Sequence, residues 1–195
     1  MSNDSDTTSS KKMLLEVLRK VSVAQVNQYF ECEGIVLVPT PPNHVLGQVL
    51  TRFVVMILLT GSEISMMFKV HFNPEQVRAY RRTQGIRAED LTDKDLVDFM
   101  KELGNQIGGR ASRVFQSNGI ALGMSIPLCT RGIYEIYADY QEKSGVIVKF
   151  GDFWGLSGSF GLLYVSCCVE LMAADQLKNF EYVDEQSDEG ELDFL

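Results

Sequence analysis

Histidine is nearly missing from this sequence: His44 and His71 are the only two in 195 residues, one in a proline-rich stretch and one at the end of an apolar run. Two scattered imidazoles cannot assemble a Ser-His-Asp triad or a zinc site, so metal hydrolysis and triad chemistry drop out. Basic residues are also short, with 18 Lys and Arg against 26 Asp and Glu and a formal net charge of −8. That balance argues against nucleic acid or an anionic membrane as partner, because both require clustered cations to displace counterions. Arg78, Arg81 and Arg82 are the one notable basic cluster, and a solvated helix end accounts for them. The four cysteines, Cys32, Cys129, Cys167 and Cys168, show no C-x-x-C spacing and read as reduced and buried. The most apolar run, Phe53 to Leu59, is far too short to span a bilayer. The first dozen residues lack the apolar segment of a secretory leader, so a cytoplasmic location is expected. The glycine-rich stretch Gly151 to Gly158 lacks the Gly-Lys-Ser/Thr ending of a phosphate loop and is read as a hairpin turn. A Gly-x-Ser-x-Gly nucleophile elbow is missing too, and Trp154 is read as a packing residue.

What is present is an ordinary globular composition, 45% hydrophobic and 23% charged, enough for one core. Residues 1–12 are polar and are expected to form a disordered tail, residues 13–182 a single domain, and residues 183–195 an acidic C-terminal tail. A helix starting after Ser9 or Ser10 carries Leu14, Leu18, Val21 and Tyr29 on one face and ends near Cys32. Ile35 to Val38 reads as a strand and Pro39 to Asn43 as a loop. Phe53 to Leu59 pairs with Ile64 to Phe72 in a hairpin around Gly61-Ser62. A short helix follows over Pro74 to Arg82, and a long one begins at the cap Thr92, with Asp93 and Asp95 in its first turn, and runs to about Gln116 before Gly119 closes it. Ile120 to Ile126, Gly132 to Tyr140, Gly145 to Phe150 and Phe160 to Leu171 read as strands.

The long helix holds the most informative run, Glu102-Leu103-Gly104-Asn105-Gln106-Ile107-Gly108-Gly109. Each interior glycine costs a helix roughly 1 kcal/mol relative to alanine, so this cluster needs a reason other than helix stability. Helical periodicity puts Leu96, Met100, Leu103, Ile107, Ala111 and Val114 on a core-facing stripe and Glu102, Asn105 and Gly109 on the opposite one. The carboxylate and the carboxamide therefore point outward, and Gly109 leaves the backbone open to close approach. A solvated polar face and glycines that let another helix pack closely are the ordinary alternatives.

The two halves of the chain echo each other. Phe30-Glu31-Cys32-Glu33-Gly34-Ile35 parallels Phe115-Gln116-Ser117-Asn118-Gly119-Ile120, and Thr60-Gly61-Ser62 parallels Ser157-Gly158-Ser159. A duplicated unit of helix, strand and hairpin follows, with the strands in one sheet and the helices packed on it. In that alignment Val17 and Lys20 match Glu102 and Asn105, so only the second half carries the pair.

Glu102-Leu103-x-Asn105-x-Ile107-x-Gly109, followed by Ser125-Ile126-Pro127, resembles the signature of the CheC/CheX/FliY family of chemotaxis phosphatases, in particular its single-site CheX-like members. The resemblance covers roughly residues 13–172. It implies an α+β fold of pseudo-twofold duplicated helix and β-hairpin units, a mixed, mainly antiparallel sheet with two long helices packed on it. It also implies a phosphatase acting on a phosphorylated CheY-like receiver domain, in which Asn105 orients water and Glu102 holds the receiver's active-site lysine. Gly109 and Gln106 become binding residues; Gln106 stands where the family more often has an apolar side chain, and by residue type it is a substitute water-positioner, Asn105 being favoured because its spacing from Glu102 is the one that resembles the family. No cofactor or metal of the chain's own is implied, Mg2+ being expected in the receiver, and a homodimer is consistent with the resemblance. The acidic tail ending in Phe194 and Leu195 is similar to segments that tether CheY-like receivers, the alternative being a solubilising terminus. A non-catalytic receiver-binding or flagellar-switch adaptor of the same fold is the competing function.

Overall fold

The Phe53–Thr60 and Ile64–Phe72 strands, β2 and β3, pair antiparallel from Phe53↔Phe72 to Thr60↔Ser65 and bury alternate side chains beneath two helices. The computed structural model describes residues 3–32, 34–38, 51–131, 148–172 and 180–182. The expected loop over Pro39 to Asn43, the strand over Gly132 to Tyr140 and the acidic tail with Phe194 and Leu195 lie outside those residues.

The remaining strands are β1 (Val36–Val38), β4 (Gly123–Met124), β5 (Leu128–Arg131), β6 (Val148–Gly158) and β7 (Gly161–Leu171), in the order β1-β6-β7-β3-β2-β4, with β5 also paired to β2. The two hairpins meet centrally at β3 and β7, and each outer strand takes its neighbour from the other half: β6 takes β1, and β2 takes β4 and β5. That exchange is the pseudo-twofold duplication expected from the sequence echo. Gly34 and Gly119, matched in the echo, have nearly the same left-handed φ, 79° and 78°. Every pairing among the described residues is antiparallel, where a mixed, mainly antiparallel sheet was expected.

Helices α1 (Asn3–Tyr29) and α3 (Asp93–Ser117) lie on one face of the sheet and pack on each other, and α2 (Pro74–Thr83) covers the end of α1. The α1 helix starts at Asn3, within the stretch expected to be a disordered tail. Propagating a helix from turns anchored by Leu14, Leu18 and Val21 costs far less than nucleating one, so the polar stretch continues it. It ends at Tyr29, before Cys32, because Glu31 takes a positive φ of 45°.

The α3 helix begins as the sequence indicates. The Thr92 hydroxyl accepts from the Asp95 N–H at 3.3 Å and the Asp95 carboxylate accepts from the Thr92 N–H at 2.8 Å, a reciprocal cap. At its other end Ile120 N–H donates to Phe115 O and Gly119 N–H to Gln116 O, both at 2.9 Å, which closes the helix through a glycine. Leu96, Met100, Leu103, Ile107, Ala111 and Val114 are all buried.

The Gly151 to Gly158 stretch is strand, part of β6, and not a turn; the hairpin turn falls at Ser159-Phe160. Its polar punctuation has tertiary causes. Asp152 pairs with Arg19 of α1, and a side chain at Gly155 would bring its Cβ within 3.1 Å of Val38 on β1. Trp154 is 2% exposed and its indole N–H donates to Ser22 Oγ at 3.0 Å, a packing role as expected. All four cysteines are free, but only Cys167 is fully buried.

Candidate functional site

The helix face that the sequence marks out is open. Glu102 is exposed and Asn105 half-buried. Together with Asp98, one turn before Glu102, and Lys101, one turn before Asn105, they form one wall of a groove of about 450 Å³. The opposite wall is Met124, Ser125, Ile126 and Pro127. The two sequence elements that carry the family resemblance, far apart in the chain, are thus brought face to face.

The second wall has its own logic. Ile120 to Ile126 does not form one strand; pairing with β2 is confined to β4 and β5, at Leu59↔Met124 and Thr60↔Gly123 and again from Met56↔Leu128 to Phe53↔Arg131. Between them Ser125 keeps the chain tied to β2. Its N–H donates to Leu58 O at 2.9 Å, and its hydroxyl accepts the Leu58 N–H at 3.0 Å, a role that a backbone carbonyl would otherwise fill. Pro127 has no N–H to give the ladder, so the chain lifts away there. Ile126 is left 77% exposed, flanked by Met124 and Leu128, and these make an apolar lip beside the polar wall.

The glycines of α3 divide by face. A Cβ on Gly104 would lie 2.8 Å from Val55 Cγ1, and one on Gly108 would lie 3.0 Å from Ile57 Cδ1 and from Met124 Sδ. Both are buried, and both set how closely α3 sits on the sheet; the close approach is to β2 and, at Gly108, also to β4, not to another helix. Gly109 faces outward, where a Cβ would meet only Arg113 Nη1 at 3.8 Å, one turn beyond Asn105 and outside the groove lining.

The amides differ as sharply. Gln106 is committed: its Nε2 donates to Glu102 Oε1 at 3.0 Å and its Oε1 accepts from Gln25 Nε2 of α1 at 2.9 Å. The Asn105 side chain makes no hydrogen bond among the described residues, so the amide lines the groove with its donor and acceptor unspent. Near Glu102, the Tyr29 hydroxyl donates to Phe99 O at 2.7 Å. Burial, and secondarily the Glu102 carboxylate, pushes that phenol well above its usual range, so it stays a neutral donor. Lys101 and Asp98 stand 3.9 Å apart, a loose pair that leaves the rim charges adaptable. Among the described residues no three His, Cys, Asp or Glu side chains converge as a metal ion would require.

Asp98, Lys101 and Gln25 were not singled out by the sequence. The first two share the helical stripe of Glu102 and Asn105 and are recoverable by counting turns, whereas Gln25 comes from another helix and carries no local signal. In the other half, the matching Val17 is 4% exposed and Lys20 pairs with Glu16, so α1 offers no second such pair.

No family model matches the chain, and no curated protein matches it in sequence. Solved structures do resemble it. A CheC-like chemotactic protein from Shewanella oneidensis superposes with a TM-score of 0.58 at 13% identity, over 80% of this chain and 96% of that one. Chemotaxis protein CheX from Vibrio vulnificus gives 0.57 at 15% identity, over 80% and 95%. The CheX-CheY-BeF3-Mg2+ complex from Borrelia burgdorferi gives 0.56 at 14% identity, over 79% and 96%. The fold is therefore that of the CheC-like and CheX chemotaxis proteins, as the sequence resemblance implies. Among the described residues no helix is long and apolar enough to cross a membrane.

Proposed function

We propose that this chain, which has the CheC-like fold, is a phosphatase acting on the aspartyl phosphate of a CheY-like receiver in the cytoplasm. The observation that carries the reading is the groove in which Glu102 and the unengaged Asn105 face Ser125-Ile126-Pro127. A CheY-like partner is supported by the Borrelia CheX, of the same fold, which is solved in complex with CheY.

The groove suits the chemistry. An acyl phosphate is hydrolysed when water attacks phosphorus in line and the receiver's aspartate leaves with the bonding pair; this demands positioning and charge stabilisation more than a strong base. The Asn105 amide both donates and accepts, so it can orient a water without titrating. Glu102 offers a carboxylate to the receiver's active-site lysine, and the receiver's own Mg2+ neutralises phosphoryl charge. Ile126 and its apolar neighbours supply a desolvated contact beside the polar pair. Gln106, spent on Glu102 and Gln25, is not the water-positioner in this reading.

A second copy and the chain's own tail complete the proposal. A second copy would pair at β1, which ends the sheet among the described residues and exposes Val36 and Leu37. The acidic tail would tether the receiver. The deciding measurement is phosphate release from a phosphorylated receiver by the wild type and by Asn105→Ala. A loss of about a hundredfold, roughly 2.7 kcal/mol of barrier, is expected; equal rates would leave a receiver-binding adaptor.

A further inference from the structure

Glu102 is not held by its own surroundings on the helix surface alone. A chain of amides runs to it from the interface between the two long helices: Gln25 of α1 donates to Gln106 at 2.9 Å, and Gln106 donates to Glu102 at 3.0 Å. Gln25 is only 4% exposed, whereas Glu102 is open to solvent. A buried polar side chain needs a partner, and here the partner is itself the donor to the carboxylate that faces the groove.

We propose that Gln25 is a positioning residue which, through Gln106, fixes the Glu102 carboxylate in the orientation that docks a receiver. The inference rests on the functional reading above and adds to it a role for the half of the chain that lacks the Glu and Asn pair. The polarity of the chain is what matters. With its Oε1 held by Gln25, Gln106 presents its NH2 to Glu102 from a fixed position; without Gln25 the amide loses that anchor and no longer holds the carboxylate in one orientation. An exposed glutamate would otherwise lose rotamer freedom on docking, and a carboxylate held in place beforehand loses less. Hydrogen bonds in series also strengthen one another, which couples the buried end to the exposed one.

The test uses the full chain and a CheY-like receiver in two forms: phosphorylated by a small phosphodonor for turnover, and bound to beryllofluoride and Mg2+ for affinity. Gln25→Leu, which keeps the volume and removes the amide, should raise KM and Kd roughly five- to tenfold, equivalent to about 1 to 1.4 kcal/mol, and leave kcat near wild type. Gln25→Glu should do at least as much, because its carboxylate accepts from the Gln106 NH2 and turns the Gln106 oxygen toward Glu102. In a Glu102→Ala background neither substitution should change Kd further. Unchanged Kd in both single variants would overturn the relay, as would effects that persist undiminished without Glu102, which mark a purely structural contact. Asn105→Ala, run in parallel, separates the two ideas. If it turns over normally, the phosphatase reading fails while the affinity cycle still decides the relay; a wild type that binds no receiver in either form overturns both.

Discussion

Alanine at Gly104 and alanine at Gly109 should act in opposite directions on stability, although both replace a glycine in the same helix. Either substitution gains up to about 1 kcal/mol of helix propensity. At Gly109 little opposes the gain, since the new Cβ meets only Arg113 Nη1 at 3.8 Å, an ordinary contact. Gly109→Ala should therefore be more stable than wild type by roughly 0.5 to 1 kcal/mol. At Gly104 the new Cβ would lie 2.8 Å from Val55 Cγ1, a branched side chain 1% exposed in the sheet beneath. Relieving that overlap requires a shift of α3 or a poor valine rotamer, and overpacking of this kind costs about 1 to 3 kcal/mol. The net expectation for Gly104→Ala is a loss between zero and roughly 2 kcal/mol. Urea unfolding of the three proteins measures both signs. Adding Val55→Ala to Gly104→Ala should restore room, so the double variant should be less destabilised than the two singles summed, by about 0.5 kcal/mol or more. If Gly104→Ala proved as stabilising as Gly109→Ala, or if the cycle were additive, α3 would not be pressed against β2 as described. The same pair also tests docking: Gly109→Ala should weaken receiver binding in spite of its greater stability, and unchanged affinity would show that no partner approaches the helix there.

Ile126→Ser should lower receiver affinity severalfold with an unfolding free energy within about 0.5 kcal/mol of wild type, because a side chain 77% exposed contributes little to the core; a large loss of stability would mean that the apolar lip is structural. The cap of α3 should show in the pH dependence of stability. Hydrogen bonds from the Thr92 hydroxyl and backbone hold Asp95 below its ordinary value of 3.8, so its contribution is full above that value and fades as pH falls through the lower folded one. The stability gap between wild type and Asp95→Ala should accordingly be widest near neutrality and narrow below pH 3.8, and a gap that grows on acidification would contradict the cap. Deleting residues 184–195 should raise the receiver Kd if Phe194 and Leu195 tether it, and an unaltered Kd removes the tether.

Much of the site was legible because it is written in local periods. The stripe from Leu96 to Val114, the cap at Thr92 and the stop at Gly119 depend on residues within a turn or two, and each is where periodicity and capping chemistry put it. The hairpins and the echo between halves were readable for the same reason. What misled was polarity whose cause lies elsewhere in the chain. Gly155 and Asp152 look like turn residues until β1 and Arg19 are seen beside them, and the polar start of α1 looks disordered until its apolar continuation is seen docked.

By itself, then, the order of residues determined which face of α3 would be apolar and which would carry Glu102 and Asn105, since a 3.6-residue repeat leaves no other sorting of those side chains. Only the packed molecule decided that Gly104 and Gly108 serve the sheet while Gly109 serves the outside. Only it decided that Ser125 and Pro127 lift Ile126 into the opposing wall, and that Gln25 reaches Gln106. Each of these depends on a distance between residues well separated in sequence, and such distances are set by the helix-to-sheet and helix-to-helix contacts of the whole core.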